Sequence, residues 1–260
     1  MAAIPATAEK ISVCMASYNG DRYIREQLHS ILSQLGDRDE IIIVDDCSGD
    51  RTVEIIRAFH DPRIKLFPNA SNRGVVKSFE RALSQAAGEL VFLSDQDDVW
   101  RADKVEKFRA FFAGRPNAAA AMSDARVIDG EGREISSSWV RARGFHPGAL
   151  RNIIKNGYLG CAMAFRKSVL AACLPFPEKI PMHDMWIGAL SACFGETGFL
   201  PDPLVAYRRH GENATSGRHA SLSRMLVWRW NLATALLARV IAVKLGRHAA
   251  SPGGGHENAS

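Results

Sequence analysis

Cysteine is scarce in this sequence and is not arranged for metal binding or cross-linking. The cysteines are Cys14, Cys47, Cys161, Cys173 and Cys193, an odd number in which no two form a C-x-x-C pair. Zinc sites and disulfide frameworks need paired or closely spaced cysteines. The pattern therefore predicts reduced, mostly buried thiols in a cytoplasmic protein.

A leader sequence and a membrane-spanning segment are also missing from the pattern. No cation precedes Lys10, and the apolar stretch that follows it is short, so a signal peptide is not expected. Near the C-terminus the longest run without charge, 230–238, has nine residues, whereas a spanning helix needs about 20. We expect no segment that crosses a membrane.

Acidic residues are absent from one long segment, 213–256, which contains six cations. Over 1–212 the basic and acidic residues balance, with 27 of each, so the net charge of +5 comes from the C-terminal part. Nucleic-acid binding needs a basic surface on the main domain. No nucleic-acid partner is therefore expected.

Three common phosphate-handling motifs are absent as well. A dinucleotide-binding turn needs G-x-G-x-x-G after the first strand, and only Gly20 is present there. The sequence has no P-loop, and Ala16-Ser17 stands where a phosphatase with an aspartyl nucleophile would carry its aspartate. These absences exclude three large enzyme classes.

Short apolar runs alternate with helical patterns through the first hundred residues. The predicted strands are 11–16, 41–44, 63–67 and 90–93, and the predicted helices are 24–35, 53–59 and 74–87. Gly88 is predicted to be the C-cap of the third helix. This alternation predicts an α/β fold, with a Rossmann-like, mostly parallel central sheet and helices on both faces.

The second half is less regular, and its last part is amphipathic. We expect strands over 118–123 and 204–207, a polar loop over 129–138 and a helix over 182–194. Within 214–248 the cations group on one side of a helix, opposite Val227, Trp230, Leu237, Ile241 and Leu245. Two alternatives stay open: the helix docks on the main domain or a second subunit with its cations in water, or it lies on the anionic inner leaflet of the membrane.

Carboxylates collect where the predicted strands end. Asp45 and Asp46 follow the second strand, and Asp95, Asp97 and Asp98 follow the fourth. The carboxyl ends of parallel strands meet at one edge of a sheet, where ligands bind. A single aspartate there is explained by helix capping, but three in four positions favour a hard divalent cation with oxygen ligands.

Taken together, the motifs resemble those of the family 2 glycosyltransferases, inverting enzymes with a GT-A fold, over 11–213. They are S-Y-N-G at 17–20, V-D-D-C-S-G-D-R-T at 44–52, N-R-G at 72–74, D-Q-D-D-V-W at 95–100, G-C at 160–161, H-D-M-W at 183–186 and Y-R-R-H-G-E-N at 207–213. Three of these forms are similar to those of bacterial rhamnosyltransferase-type enzymes that build surface polysaccharides.

The resemblance implies a division of the chain. Residues 11–213 would form the GT-A catalytic domain, with a nucleotide-binding half over 11–100 and an acceptor-binding half over 101–213. Residues 1–10 would be an N-terminal tail, 214–248 a basic amphipathic helical segment, and 249–260 a disordered tail.

The resemblance also assigns residues to a nucleoside-diphosphate sugar, with UDP- or dTDP-sugars favoured and dTDP-rhamnose among them. Tyr18 and Asp46 would hold the base and ribose, Arg73 would meet a phosphate, and Arg208 and His210 would reach the diphosphate or metal. The complete predicted donor site is Ser17, Tyr18, Asn19, Asp46, Arg73, Asp95, Arg208 and His210.

A divalent cation, Mg²⁺ or Mn²⁺, would be held by the D-x-D element. Asp97 would be the direct ligand, and Asp95 would bind the ribose, the metal or a metal-bound water. For Asp98 two roles stay open: it shares the metal, or it caps the next helix.

Asp184 matches the position of the general base, which takes the proton of the acceptor hydroxyl; an N-cap role is the alternative. The acceptor, a glycan or a lipid-linked glycan, would meet Gly160, Cys161, His183 and Trp186, although Trp186 is almost equally well explained as a core residue. Two other functions stay open, a sugar nucleotidyltransferase and a non-catalytic nucleotide-sugar-binding protein. The stretch 139–146 fits no family pattern.

Overall fold

A computed structural model of the chain describes residues 9–146, 148–211 and 222–246. The predicted disordered tail, nearly all of the N-terminal tail, the end of the Y-R-R-H-G-E-N motif and part of the basic segment lie outside the described residues. The proposed domain boundaries stay predictions.

The first half forms the parallel part of the sheet, as the apolar runs predict. Its elements are β1 (Ile11–Ser17), α1 (Ile24–Leu32), β2 (Glu40–Asp45), α2 (Thr52–Arg57), β3 (Ile64–Pro68), α3 (Val75–Ser84) and β4 (Leu90–Ser94). The strands stand in the order β3-β2-β1-β4, all parallel. Successive residues of β1, β2 and β4 are buried whichever way they point, so both faces of the sheet are covered.

The second half adds a mixed sheet. Its elements are β5 (Val99–Trp100), α4 (Lys104–Ala113), β6 (Ala118–Ile128), β7 (Glu134–Ser136), α5 (Trp139–Arg143), α6 (Ala149–Ile154), β8 (Met163–Arg166), α7 (Ser168–Cys173), α8 (His183–Phe194) and β9 (Glu196–Arg208). The sheet continues from β4 through β8, β6 and β9 to β5, with β7 beside β6. β8 is antiparallel to both neighbours, whereas β6 and β9 are parallel.

Three local predictions in and beside this half are wrong. β6 and β9 run for 11 and 13 residues, far beyond the short strands expected, and the expected loop 129–138 contains β7. Gly198, Pro201 and Pro203 weaken the strand signal of β9, but pairing with β6 supplies its partners. Gly88 is not a C-cap: α3 ends at Ser84, and a Cβ at Gly88 would lie 2.5 Å from the backbone nitrogen of Ser12.

The C-terminal helix α9 (Leu222–Lys244) packs on α8, α6 and α7. By length and composition its segment Met225–Lys244 is able to cross a membrane, contrary to the expectation from uncharged runs, because only two cations interrupt it before Lys244. Its docked side includes a cation, Arg239, whose guanidinium donates to the carbonyls of Ala172, Leu174 and Pro175. The expectation that a docked helix keeps its cations in water is therefore wrong for Arg239.

Candidate active site

A cavity of about 310 Å³ opens at the carboxyl ends of β1, β2 and β4. The loops after these strands form part of its lining, and the N-terminus of α8 together with Gly160 forms another part. Predicted site residues that line it are Ser17, Tyr18, Asp46, Asp95, Asp97, Gly160, His183 and Asp184. The fold thus brings together residues that are up to 167 positions apart in the sequence.

Asp46 follows β2, and its buried carboxylate is rich in hydrogen-bond donors. One oxygen accepts from the backbone N–H of Arg73 and the side chain of Asn69, and the other accepts from the N–H of Gly74, each at 2.8 Å. Burial alone would raise the pKa of this carboxyl, but these hydrogen bonds outweigh it and lower the pKa. Asp46 therefore holds the loop 72–74 against the cavity and keeps little accepting capacity for a base or ribose.

Tyr18 projects from the end of β1, with 48% of its surface exposed. Its backbone N–H donates to Gln96 Oε1, and Gln96 Nε2 donates back to the carbonyl of Tyr18, each at 2.9 Å. This reciprocal pair ties the loop after β1 to the loop after β4. Gln96 belongs to the D-Q-D-D run, but the sequence pattern gave no reason to assign it this role.

Ser17 and Asn19, two predicted donor-site residues, bond to the protein instead. Ser17 is buried and its hydroxyl donates to Asp45 at 2.9 Å. Asn19 adopts a left-handed φ of 46° and accepts from the N–H of Gly49 at 2.9 Å. Their side chains shape the loops around Tyr18, and only the predicted proximity of Ser17 to the cavity is found.

The loop after β4 carries three carboxylates, Asp95, Asp97 and Asp98, which meet fewer hydrogen-bond donors among the described residues than Asp46 does. Burial and the negative charges of Asp98, Asp97 and Asp184 raise the pKa of Asp95 well above its ordinary value. Burial and Asp97 raise the pKa of Asp98 to about 7. Asp98 does not cap the next helix, since α4 begins at Lys104. Its Oδ1 accepts from the N–H of Arg208 at 2.9 Å, and its buried Oδ2 has no hydrogen-bond partner among the described residues.

A buried ammonium group lies beneath this loop. Lys104 is fully buried, its Nζ donates to the carbonyl of Cys161 at 2.7 Å, and it lies 3.9 Å from the ring centroid of Trp100. Burial lowers the pKa of Lys104 to about 7, while the charges of Asp98 and Asp95 act to raise it. Lys104 thus lies close to Asp95 and Asp98, and the sequence does not predict this because a lysine at a helix start is usually exposed.

The end of β9 and the residues directly after it contact Asp97 and Asp98. His210 Nε2 lies 2.8 Å from Asp97 Oδ2, and Arg208 donates from Nε to the carbonyl of Asp97 at 2.8 Å. Arg208 is only 4% exposed and forms an ion pair with Glu26 at 2.7 Å. The structure therefore places Arg208 behind the acidic loop, whereas Arg73 is exposed at the surface.

Asp184 faces the acidic loop from the first turn of α8. The helix has Met182 at its N-cap, so the capping alternative for Asp184 is wrong. Burial raises the pKa of Asp184 to about 6, against the opposing effect of hydrogen bonds from the N–H groups of Met185 and Gly160. Such a pKa lies close to the range that suits a general base.

His183, Gly160 and Cys161 complete the wall beside Asp184. His183 is stacked on Phe79 with ring centroids 3.8 Å apart, and burial lowers its pKa to about 3, so the ring is neutral. A Cβ at Gly160 would lie 3.3 Å from His183 Nε2, which is a tight contact. Cys161 is 1% exposed with its thiol toward Asp98, so it lies behind the cavity wall.

The prediction that Trp186 lines the acceptor side is wrong. Its side chain is fully buried, and its indole N–H donates to the carbonyl of Cys173 at 3.0 Å. Two residues along a helix correspond to a rotation of about 200°, so a cavity-facing Asp184 turns Trp186 into the core.

The loop after β4 offers oxygen ligands of the kind that a hard divalent cation prefers. Asp95 and Asp97 line the cavity, and Asp98 next to them has a buried oxygen for which the described residues provide no hydrogen-bond partner. Cys161 presents its sulfur within 4.8 Å of ligand atoms of Asp95 and Asp98, but burial raises the pKa of that thiol. Because a thiol must deprotonate to bind metal, the carboxylate oxygens are the ligands that fit.

Comparisons with known proteins show the family and the fold of the chain. Residues 12–174 match the family described as Glycosyl transferase family 2. An uncharacterized glycosyltransferase of Nostoc sp., alr2836, is 29% identical over 214 residues, which cover 78% of this chain and 66% of the relative, just under two thirds. The putative teichuronic acid biosynthesis glycosyltransferase TuaG of Bacillus subtilis is 28% identical, over 80% of this chain and 82% of its own length.

A shorter match and two solved structures add to these. The UDP-Glc:alpha-D-GlcNAc-diphosphoundecaprenol beta-1,3-glucosyltransferase WfgD of Escherichia coli is 35% identical over 37% of this chain and 38% of its own length. S. aureus TarS in complex with UDP-GlcNAc superposes with a TM-score of 0.69 at 21% identity, over 92% of this chain and 72% of that one. The mannosyltransferase PcManGT from Pyrobaculum calidifontis, in complex with GDP-Man and Mn²⁺, gives 0.62 at 21% identity, over 95% and 67%.

Proposed function

The chain belongs to glycosyl transferase family 2 and has the GT-A fold, and from this premise we propose a metal-dependent inverting transfer. The donor is a nucleoside-diphosphate sugar, with UDP- or dTDP-sugars favoured and dTDP-rhamnose among the candidates. The acceptor is a hydroxyl of a glycan or lipid-linked glycan in surface polysaccharide synthesis. Family membership favours this activity over a sugar nucleotidyltransferase or a non-catalytic binding protein.

The observation that carries the proposal is the placement of Asp184 in the same cavity as Asp95 and Asp97. Inversion needs a single base on the face of the sugar opposite the leaving group. Asp184 lines the same cavity as Asn72 and Gly74 of the loop 72–74, and it lies within electrostatic reach of Asp95. Its raised pKa makes the carboxylate more basic than an exposed aspartate. Because the pKa of about 6 is still below 7, the carboxylate is largely ionised at neutral pH.

The reaction follows from these positions. Tyr18 and the loop held by Asp46 receive the nucleotide, and the diphosphate lies toward Asp95 and Asp97. Asp184 accepts the proton of the acceptor hydroxyl while the hydroxyl oxygen bonds to the anomeric carbon of the sugar. The bond between that carbon and the diphosphate breaks in the same step. Asp97 and Asp95 would hold a Mg²⁺ or Mn²⁺ ion, whose positive charge would stabilise the diphosphate leaving group.

Two solved structures and one sequence relative support the choice of substrate class. TarS and PcManGT are described with UDP-GlcNAc and GDP-Man, and WfgD is named for an acceptor joined to a diphosphate lipid. We infer the same broad classes here, a nucleotide sugar and a glycan acceptor. The first experiment is a thermal-shift screen of the full chain against UDP-, dTDP- and GDP-sugars with Mg²⁺ or Mn²⁺, which identifies the donor.

The decisive test is Asp184→Asn, assayed with that donor for nucleoside-diphosphate release and glycan product. The amide keeps the shape of the carboxylate but cannot act as a base, so transfer should fall by about 10³-fold while cation-dependent donor binding persists. Glu178→Gln, an exposed carboxylate shortly before α8, is the matched control. Wild-type transfer by Asp184→Asn would refute the assignment of the base.

A further inference from the structure

The orientation of α9 divides the helix into two unlike faces. Leu232 and Leu236 are 0% and 4% exposed, and Arg239 is fixed by three carbonyls at and just beyond the end of α7, at 2.6 to 3.0 Å. The guanidinium of Arg239 also lies 5.5 Å from the ring centroid of Trp186. These contacts determine which face is docked on the catalytic domain.

The opposite side, which we call the outer face of α9, consists of Leu226, Val227, Trp230, Leu237 and Ile241. Each of these side chains is at least 48% exposed, and Trp230 reaches 71%. The neighbouring helix α6 packs against α9 and exposes two more large apolar side chains, Leu150 and Ile154. Burying such side chains in protein would stabilise the fold, so a continuous exposed row of them marks an interaction surface.

The charges around this face identify the kind of partner. Neither α6 nor α9 contains an aspartate or glutamate. Exposed cations stand beside the apolar residues, at Arg151 and Lys155 in and directly after α6 and at Lys244 at the end of α9. An apolar stripe with tryptophan and flanking cations is the pattern of helices that lie in the interface of an anionic bilayer.

A second copy of the chain fits this surface less well. A two-fold interface would place the same patch against itself, so the cations of α6 and α9 would meet other cations without a carboxylate from either helix. A membrane-spanning orientation is also disfavoured by the contacts, because it would withdraw Arg239 from its three carbonyls and place it in hydrocarbon.

We propose that the outer face of α9, with Leu150 and Ile154, binds the surface of an anionic phospholipid bilayer and holds the enzyme there as a peripheral protein. α9 packs directly on α8, the helix that begins at His183 and Asp184. A bilayer at this face would therefore lie one helix layer, α9 itself, from the helix that carries His183 and Asp184. Membrane binding itself does not depend on the transfer reaction.

The test is flotation of the full chain with vesicles of phosphatidylcholine, with and without phosphatidylglycerol. We expect binding to the anionic vesicles that weakens as NaCl is raised. The double variant Trp230→Ser/Leu237→Ser should bind at least about tenfold less tightly, since each side chain loses its burial in the bilayer. Ile135→Ser on β7, where Ile135 is 61% exposed, is the matched control and should bind like wild type.

The electrostatic part has its own pair of variants. Arg151→Glu and Lys155→Glu should each weaken binding to the anionic vesicles by roughly fivefold or more, whereas Arg57→Glu, an exposed cation of α2, should not. Circular dichroism and donor-induced thermal shifts check that every variant is folded. These readouts separate failure of this proposal from failure of the proposed function.

Four results would overturn the proposal. They are wild-type chain that does not float, equal binding to neutral and anionic vesicles, binding that Trp230→Ser/Leu237→Ser leaves unchanged, and membrane association that survives alkaline extraction. Sedimentation velocity tests the dimer alternative. If the wild-type chain is a dimer and the double variant is a monomer that floats like wild type, the outer face of α9 joins two copies of the chain instead.

Discussion

Asp46 and Asp98 follow β2 and β4, the two strands on either side of β1, yet their carboxyl groups meet opposite surroundings. Asp46 accepts three hydrogen bonds and its pKa is lowered, whereas Asp98 accepts one backbone hydrogen bond, leaves one oxygen without a partner among the described residues, and has a pKa raised to about 7. Both residues are nearly inaccessible to solvent. Burial and the negative charge of Asp97 raise the pKa of Asp98, whereas the hydrogen bonds that Asp46 accepts outweigh the effect of its burial.

The two sides of the cavity differ in the number of hydrogen-bond donors that their carboxylates meet, and we assign them different roles. The donor-rich side, at Asp46, holds the loop 72–74 in place before any ligand binds. On the donor-poor side, at Asp95, Asp97 and Asp98, burial and the repulsion between the carboxylates raise the pKa of Asp95 and Asp98, and the buried Lys104 lies close to both. We interpret the first side as prebuilt and the second as completed by a cation and a diphosphate.

Removing a carboxylate from the donor-poor side should have the largest effect. Asp97→Ala is expected to lower kcat/KM by about 10³-fold, which is about 4 kcal/mol, because the variant loses charge that holds the cation. Steady-state kinetics and calorimetric donor titration with and without Mn²⁺ measure this. Asp21→Asn, an exposed carboxylate in the loop after β1, is the control. Titrations that are unchanged in Asp97→Ala would contradict the metal role.

Breaking the donor-rich side should have the next largest effect. Asp46→Asn replaces one accepting oxygen by an NH2 group, which cannot accept the hydrogen bond that a backbone N–H of the loop 72–74 donates to that oxygen. We expect affinity for the nucleoside diphosphate to fall by about 10²-fold, or about 2.7 kcal/mol. Asp61→Asn removes a carboxylate with a similarly lowered pKa, bonded to Arg63 at the start of β3 and outside the cavity lining. If both variants bind the donor like wild type, Asp46 does not organise the site.

Removing the buried ammonium group should destabilise the acidic loop. Lys104→Met leaves the carbonyl of Cys161 without its donor and the carboxyls above without a cation, so the free energy of unfolding should fall by about 2 kcal/mol. Lys107→Met, on the same helix, breaks only a surface ion pair with Asp202 and should change it by less than about 1 kcal/mol. Urea denaturation measures both. Equal stability of the two variants would show that Lys104 is not a counter-ion.

Lowering the pH should have the smallest effect of these four changes, and it acts through the protonation of Asp184. The pKa of Asp184 is raised from 3.8 to about 6, so the carboxyl is protonated, and unable to accept a proton, below that pH. At saturating cation, kcat/KM should fall about tenfold for each pH unit below 6, or about 1.4 kcal/mol per unit. A pH–rate profile that stays flat through that region would contradict the base assignment.

Much of the site was predictable because its residues follow apolar strands. The runs before Asp46 and Asp95 predict buried parallel strands, and parallel strands bring their carboxyl ends to one edge, so Tyr18, Asp46, Asp95 and Asp97 were expected together. Asp184 was placed by resemblance alone. Gln96 and Lys104 were missed, since neither the pairing of Gln96 with the backbone of Tyr18 nor the burial of Lys104 leaves a periodic trace in the sequence.

The sequence by itself determined the class of fold, the family and the positions of the acidic loops, because these depend on local apolar patterns and contiguous motifs. The tertiary structure alone decided which carboxylates receive donors, since the partners of Asp46 are 23 to 28 residues away. It also turned Trp186 into the core and the apolar face of α9 outward. Periodicity shows that a helix has two faces, but only the carbonyls that bind Arg239 show which face is docked.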